Sequence, residues 1–293
     1  MTSTTTHRGI VVGIDGSATS ELAVKWAARD AAMHNVPLTL IHVLPSPAVM
    51  AWPDLPLPPA FLDWPEADGR NIIREAAKLA EDAAGAPIQI DSDMVIGPAI
   101  AALTDQSKEA RMIVVGCRGR GLLARLLGSV SSGLTHHAHC PVAIIHDDDA
   151  QGPDHAVGPV VVGIDGSPAS EKATAIAFDE ASRRGADVVA VHACFDWTGW
   201  EYPDFSLFDV EQLGSEVLAE RLAGYQEQYP DVNVRRVVAV NQAAKQIIDE
   251  AKDAQLVVVG SHGRGGFSGM LLGSVSSAVA QSARVPVIVA RTS

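Results

Sequence analysis

Val11-Val-Gly-Ile-Asp-Gly-Ser17 occurs twice in this chain of 293 residues, because the same seven residues return at Val161 to Ser167. A second heptapeptide, Leu126 to Ser132, returns intact at Leu271 to Ser277. The repeated segments keep their order and nearly the same spacing, which is the pattern left by internal duplication. The sequence therefore predicts two copies of one domain in tandem.

The boundary between the copies is predicted in the acidic stretch 147–156, which contains Gly and Pro and has no apolar periodicity. We place it at residue 150, so that the predicted domains are 1–150 and 151–293. Each predicted domain is long enough to bury its own hydrophobic core.

Short segments rich in Val and Ile alternate with longer segments of helical periodicity in each copy. In the first copy the predicted strands are 10–14, 38–44, 88–95, 112–115 and 142–145. The predicted helices between them are 21–33, 72–84, 99–110 and 130–138. Because strands connected through helices pair in parallel, each copy is predicted to be an α/β domain with a doubly wound, Rossmann-like sheet of five parallel strands.

The composition excludes several classes of protein. The chain has 22 Lys and Arg against 35 Asp and Glu, a formal net charge of −13, and 47% hydrophobic residues. This balance argues for a globular protein and against binding to nucleic acid or to an anionic membrane surface. The three cysteines have unrelated spacings, and neither a signal peptide nor an apolar stretch long enough to cross a membrane is evident. A cytoplasmic location is therefore expected.

An aspartate directly follows the first predicted strand of each copy. Asp15 and Asp165 lie in the repeated Gly-Ile-Asp-Gly-Ser segment, at the carboxyl end of a strand where doubly wound sheets bind ligands. Two interpretations stay open for both residues. Each is either a turn residue that caps the following helix, or a carboxylate placed beside a ligand or its Mg²⁺.

A glycine-rich loop follows the fourth predicted strand of each copy, with Gly116 and Gly119 in the first and Gly260 and Gly263 in the second. Glycines in such a loop let backbone N–H groups approach a ligand closely. The last helix of each copy then opens with a Gly-Ser-Val-Ser segment: Gly128, Ser129, Val130 and Ser131, and again Gly273, Ser274, Val275 and Ser276. Because a helix N-terminus attracts anions, loop and helix together predict a phosphate site without lysine.

These motifs resemble the universal stress proteins in their tandem two-domain form, and the resemblance covers nearly the whole chain. The ATP-binding members of that family carry Gly-x₂-Gly-x₉-Gly-Ser/Thr after the fourth strand. Gly260, Gly263, Gly273 and Ser274 match this pattern, whereas the first copy has only eight residues between Gly119 and Gly128.

The resemblance implies a fold like that of the adenine nucleotide alpha hydrolases and a regulatory protein of stress response or growth control. It implies ATP, with Mg²⁺, as the ligand of both copies. The first implied site consists of Gly13, Asp15, Val43, Val115, Gly116, Gly119, Gly128, Ser129, Val130 and Ser131. The second consists of Gly163, Asp165, Ala193, Val259, Gly260, Gly263, Gly273, Ser274, Val275 and Ser276.

The resemblance also implies antiparallel pairing of the fifth strands, Val142 to Ile145 with Val287 to Ala290, which would make an internal pseudo-dimer. A homodimer of the whole chain and a regulatory protein partner are further expectations. Aromatic residues cluster after the second strand of each copy, in what the sequence suggests are long loops: Trp52, Phe61, Trp64, Phe195, Trp197, Trp200, Tyr202, Phe205 and Phe208. These segments either fold back over their domain or form a contact surface.

Two other functions stay open at this point: a slow ATP hydrolase, and an interaction module whose nucleotide pockets are vestigial. No Ser/His/Asp or Cys/His arrangement recurs at repeated positions, so no catalytic residue is assigned. The histidines at 136, 137 and 139 suggest a metal site by composition, but the second copy lacks them and no metal ligand is assigned. His42 and His192, at equivalent strand ends, are expected to be hydrogen-bonded histidines that are partly buried.

Overall fold

In a computed structural model of the chain, the described residues are 8–46, 59–118, 127–146, 157–194, 207–263 and 272–292. In the helices that begin at residues 59 and 207, side chains are described from residues 66 and 211 onward. The described residues up to 146 belong to one compact unit, and those from 157 to 292 belong to a second.

The first unit contains five strands and four helices among its described residues. They are β1 (Ile10–Ile14), α1 (Ala18–His34), β2 (Leu38–Leu44), α2 (Pro59–Ala84), β3 (Ile90–Ile96), α3 (Ala99–Gln106), β4 (Met112–Gly116), α4 (Ser129–His137) and β5 (Val142–Ile145). The strands are parallel and lie in the order β3-β2-β1-β4-β5. Helices α1 and α2 pack together, and so do α3 and α4.

The second unit repeats this arrangement. Its elements are β6 (Val160–Gly163), α5 (Pro168–Arg184), β7 (Val188–Cys194), α6 (Leu207–Gln228), β8 (Val234–Val240), α7 (Ala243–Glu250), the short 3₁₀ helix Ala251–Asp253, β9 (Leu256–Gly260), α8 (Ser274–Ser282) and β10 (Val287–Ala290). These strands are again parallel, in the order β8-β7-β6-β9-β10. The predicted α/β class with parallel sheets is confirmed in both units.

The three central strands of each sheet are buried on both faces. Ile10, Val11 and Val12 of β1 are fully buried, as are Val160, Val161 and Val162 of β6. A parallel strand covered by helices on both sides has no solvent face, which explains why these segments are continuous apolar runs instead of alternating patterns. In each unit the core therefore lies along the central strands and the helix faces packed on them.

One helix begins well before its predicted start. Helix α2 runs over Pro59–Ala84, whereas the sequence predicted a helix only over 72–84. The Pro-rich, aromatic stretch was interpreted as a loop, and this was wrong for the part that includes Phe61 and Trp64. Pro is favoured at the first position of a helix, where its missing N–H costs no hydrogen bond, so Pro59 marks a helix start. Phe208 likewise lies within α6, while residues 47–58 and 195–206 lie outside the described residues.

A cluster of three rings joins α5 to α6 in the second unit. Phe178 is fully buried, and its ring centroid lies 5.1 Å from that of Tyr225 and 5.8 Å from that of Tyr229. Burial raises the pKa of Tyr225, and the nearby Glu171 carboxylate raises it further by disfavouring a second negative charge. Aromatic packing therefore holds the middle of α5 beside the C-terminal end of α6.

The sheet order places a crevice at the carboxyl ends of two strands in each unit. β1 pairs with β2 on one side and with β4 on the other, so the sheet is extended from β1 in one direction by β2 and β3 and in the opposite direction by β4 and β5. The same reversal occurs at β6, between β7 and β9. Ligands of open α/β sheets bind at this reversal of strand order.

None of the described helices is long and apolar enough to cross a membrane.

Candidate functional site

A cavity opens in each unit where the two central strands separate. β1 and β4 are paired only from Ile10 opposite Met112 to Val12 opposite Val114, and beyond these residues their ends diverge. The resulting cavity has a volume of about 340 Å³. The equivalent cavity between β6 and β9 measures about 310 Å³. Both volumes lie near the lower end of the range for small-molecule sites, roughly 300–1,000 Å³.

The structure brings most of the residues selected from the sequence to these two cavities. The first cavity is lined by Gly13, Asp15, Val43, Val115, Gly116, Gly128, Ser129, Val130 and Ser131. The second is lined by Gly163, Asp165, Ala193, Val259, Gly260, Gly263, Gly273, Ser274, Val275 and Ser276. Gly119 lies outside the described residues. Four separate segments of each unit therefore converge on one space.

The aspartate after the first strand of each unit forms a tight turn and also lines the cavity. The Oδ1 atom of Asp15 accepts a hydrogen bond of 2.9 Å from the backbone N–H of Ser17, and Asp165 accepts an equal bond from Ser167. The glycines between them, Gly16 and Gly166, have φ values of +73° and +79°, which side chains disfavour. The expected turn is present, but Ser17 and Ser167, not the aspartates, cap the following helices.

A hydrogen bond ties the start of the first helix to the glycine-rich loop in each unit. In the second unit, the Ser167 hydroxyl donates to the backbone carbonyl of His262 over 3.0 Å. In the first unit, Thr19 donates to the carbonyl of Arg118, and the Ser17 hydroxyl lies 3.2 Å from that of Thr19. The equivalent of Thr19 in the second unit is Ala169, which cannot donate. The same connection is therefore made from different positions.

The last helix of each unit begins at the cavity wall without a side-chain cap. Gly128 and Gly273 precede helices α4 and α8, and neither makes a capping bond through a side chain. The first bonds within the helices run from Ser132 to Gly128 and from Ser277 to Gly273. The preceding three N–H groups of each helix thus have no acceptor within the helix, which is the usual state of a helix N-terminus. This end of each cavity offers backbone donors and a positive dipole to an anion.

The second serine of each Gly-Ser-Val-Ser segment donates a hydrogen bond to a backbone carbonyl. The Ser131 hydroxyl lies 3.1 Å from the carbonyl oxygen of Cys117 and 3.0 Å from that of Gly128, and it can donate to either. The Ser276 hydroxyl donates to the carbonyl of Gly260. These serines fasten the helix start to the end of the neighbouring strand, whereas Ser129 and Ser274 are exposed.

Sequence reasoning missed part of the apolar wall opposite the helix start. Leu103 and Ala99 of α3 line the first cavity, and Ile247 and Ala243 of α7 line the second. A Cβ on Gly13 would lie 3.0 Å from Leu103 Cδ1, so the absence of a side chain there lets the leucine reach the strand. A signal was present in the repeat. Ala99 and Ala243 are 144 residues apart, as are Leu103 and Ile247, and this is also the spacing between Gly116 and Gly260.

His42 and His192 have structural contacts instead of lining the cavities. Each is buried, and its Nδ1 donates to a backbone carbonyl, that of Ile14 over 2.9 Å and that of Ile164 over 2.6 Å. The acceptors directly precede Asp15 and Asp165. These histidines therefore hold the strand end that carries each aspartate.

Each cavity combines two chemical environments. One wall is apolar and is built from strand ends and a helix face; the other consists of backbone N–H groups at a helix start, with glycines beside it. A ligand with a flat apolar part and an anionic part matches this arrangement. In the second unit, a Cβ on Gly263 would lie 2.6 Å from Asp165 Oδ2, so the carboxylate and the glycine loop face each other closely.

The family profile and two similar relatives of this chain point to the same protein family. The sequence profile described as "Universal stress protein family" matches residues 6–146 and again 157–291. Universal stress protein Rv2623 of Mycobacterium tuberculosis is 52% identical over 296 residues, covering 100% of this chain and 99% of that protein. Universal stress protein Rv2005c of the same organism is 53% identical, covering 98% of each.

Among solved structures, a universal stress protein from Archaeoglobus fulgidus is similar in fold. It aligns with a TM-score of 0.73 and covers 97% of this chain and 98% of its own, at 21% sequence identity. At that identity the likeness concerns the fold alone.

Proposed function

Because the chain belongs to the universal stress protein family, we propose that it binds ATP in each of its two cavities and acts in the cytoplasm as a regulator of stress response or growth control. The observation that carries this proposal is the pairing, in each cavity, of an apolar wall with an uncapped helix N-terminus. An adenine nucleotide has the matching apolar and anionic ends.

The apolar end of each cavity suits an adenine base. Val43, Leu103 and Val115 line it in the first unit, and Ala193, Ile247 and Val259 take their places in the second. Asp15 and Asp165 lie at the same strand ends, where a carboxylate can accept hydrogen bonds from ribose hydroxyls. These features favour a nucleoside over a simple anion such as phosphate.

The opposite end of each cavity suits phosphates. The helix starts at Ser129 and Ser274 offer N–H groups with no acceptor in the helix, and Gly128 and Gly273 let the backbone of the glycine-rich loop lie close to these helix starts. Mg²⁺ bound with ATP would offset part of the triphosphate charge close to Asp15 or Asp165. We assign no residue as a metal ligand.

The proposal is tested by counting the nucleotides bound to each chain. Purified protein is saturated with Mg-ATP, freed of excess ligand, denatured, and the released nucleotide is quantified by chromatography and mass spectrometry. We expect two ATP per chain. One ATP per chain would restrict the proposal to a single cavity, and none, together with no heat of binding in calorimetry, would leave an interaction module with vestigial pockets as the better account.

A single charge at either helix start should remove one site at a time. Ser129→Glu and Ser274→Glu each place a carboxylate where a phosphate would bind, and a glutamate in the first helical turn favours the helix itself. Each variant is therefore expected to lose one of the two nucleotides and to keep its melting temperature. Ser129→Gln and Ser274→Gln are the matched controls, since glutamine has the same size without the charge, and they should keep most of the binding.

A further inference from the structure

Among the described residues that line them, the two cavities differ in one basic residue. Arg118 lines the first cavity, and His262 occupies the equivalent position in the second, two residues after the last glycine of the strand in each case. Both side chains are partly exposed. The next basic residue of each loop is an arginine, Arg120 or Arg264, and the first loop also contains Arg125, which has no basic equivalent in the second; all three lie outside the described residues.

This position lies directly against the helix N-terminus. A Cβ placed on Gly128 would lie 3.4 Å from the Cα of Arg118, and one placed on Gly273 would lie 3.5 Å from the Cα of His262. The backbone carbonyls of both residues accept the bonds from Thr19 and Ser167 that tie the loop to the first helix of each unit. The fold thus holds the backbone at this position in the same way in both units, and the units differ there in the side chain.

Few other ionisable groups line these cavities within the part of the chain that the structure describes. Among the described residues that line the second cavity, the ionisable groups are His262 and Asp165; among those that line the first, they are Arg118 and Asp15. Nδ1 of His262 also lies 3.0 Å from the Ser261 hydroxyl. The described lining of α7 and α8 contributes apolar residues, glycine and serine. The described lining of each cavity therefore contains one aspartate, whereas the basic residue is an arginine in the first cavity and a histidine in the second.

We propose, on the basis of the ATP binding proposed above, that residues 118 and 262 determine how strongly each site distinguishes nucleotides by their phosphate charge. Arg118 gives the first site a preference for ATP over AMP that is independent of pH. His262 gives the second site a weaker preference, which strengthens as the pH falls.

The physical reason is the different charge behaviour of the two side chains. A guanidinium keeps its positive charge at all physiological pH values, whereas histidine as a class changes charge within about pH 5–8. A positive charge beside the helix start stabilises the more highly charged nucleotide more than the less charged one. Because lower pH adds a proton to imidazole, it increases the attraction at the second site and leaves the charge of Arg118 unchanged.

The experiment uses the full chain with one site removed at a time. Ser274→Glu leaves the first site for study, and Ser129→Glu leaves the second. The dissociation constants of ATP and AMP are measured by calorimetry at pH 8 and pH 6, and their ratio is the readout. The first site serves as the control for protonation of the nucleotides themselves, since both sites meet the same ligand in the same buffer.

At pH 8 we expect the first site to prefer ATP over AMP more strongly than the second, by about two- to fivefold, the range of one partly exposed charge–charge contact. At pH 6 the difference between the sites should be smaller than at pH 8, because a lower pH favours the positively charged form of an imidazole and leaves a guanidinium unchanged. Exchanging the residues should exchange the behaviours. His262→Arg should give the second site the stronger preference at pH 8, and Arg118→His should give the first site the pH dependence.

Two outcomes would overturn this inference. Equal preferences of the two sites at pH 8 would contradict it, and so would residue exchanges that leave the ATP-to-AMP ratio unchanged while both nucleotides still bind. Failure of both single-site chains to bind either nucleotide is a different result, because it would overturn the proposed ATP binding itself.

Discussion

Gly260→Ala is expected to abolish nucleotide binding at the second cavity and to destabilise the second unit. A Cβ at this position would lie 2.8 Å from the backbone carbon of Ala169 and 2.9 Å from the backbone nitrogen of Ser170. Neither backbone atom can rotate away as a side chain would, so the start of α5 must move. Such overpacking costs about 1–3 kcal/mol of the free energy of unfolding.

The loss of binding follows from the same displacement. The start of α5 carries Ser167, which is bonded to Asp165 and to the carbonyl of His262, so its movement disturbs both sides of the cavity. Urea denaturation followed by circular dichroism gives the stability, and calorimetry in a Ser129→Glu background gives the affinity. Unchanged binding in a destabilised Gly260→Ala chain would show that the cavity does not depend on this close approach.

Gly263→Ala is the matched control, three residues further along the same loop. Among the described atoms, its Cβ would meet the carboxylate of Asp165 alone, with Oδ2 at 2.6 Å, and the residue is exposed. The carboxylate can turn away, so the free energy of unfolding should stay the same. Binding should still weaken, because the carboxylate and the loop face each other across the proposed ligand site. Gly260→Ala is therefore expected to lower both stability and binding, whereas Gly263→Ala is expected to lower binding alone.

Phe178→Ala is expected to have the largest effect on stability alone. Its fully buried ring packs against Tyr225 and Tyr229, and truncating a buried phenylalanine costs about 3–5 kcal/mol because both the buried area and the cavity left behind are unfavourable. The measurement is denaturation of nucleotide-free protein, since bound ligand would add its own stabilisation. Phe178→Leu keeps most of the volume and should cost clearly less.

A loss of less than about 1 kcal/mol in Phe178→Ala would contradict this account, since it would mean that the neighbouring helices close the space at little cost. The residue does not line the cavity, so a chain that remains folded should bind nucleotide as the wild type does. Reduced affinity in the folded variant would instead connect the packing of α5 and α6 to the site.

The strands were the most predictable part of the fold. β1, β2 and β5 begin and end where the apolar runs do, because strands buried on both faces are continuous apolar segments. The early start of α2 at Pro59 was missed, because closely spaced prolines are typical of loops and the helical periodicity becomes clear only from Ile72. A helix held by packing can begin in a segment with weak intrinsic preference.

The candidate site was predictable as far as its glycines and aspartates, because these residues occur twice in recognisable motifs. The apolar lining from Leu103 and Ile247 was missed, since each lies on a helix of ordinary amphipathic spacing and only the equivalent positions of the two residues in the repeat marked them. The bracing contacts of Ser131 and Ser276 were also not predictable, because a serine in a motif does not reveal whether its hydroxyl faces the backbone or the ligand.

The connection between the first helix and the glycine loop has a consequence for tolerance to mutation. In the first unit the Thr19 hydroxyl donates to the Arg118 carbonyl, and the Ser17 hydroxyl lies 3.2 Å from that of Thr19. We expect Ser17 to take over the bond if Thr19 is replaced, because its equivalent Ser167 makes the bond in the second unit. In the second unit Ser167 has no such neighbour at position 169, which is alanine. The bond between the first helix and the glycine-rich loop therefore has a second possible donor in the first unit and a single donor in the second. We expect a substitution of that donor to disturb the loop more in the second unit than in the first.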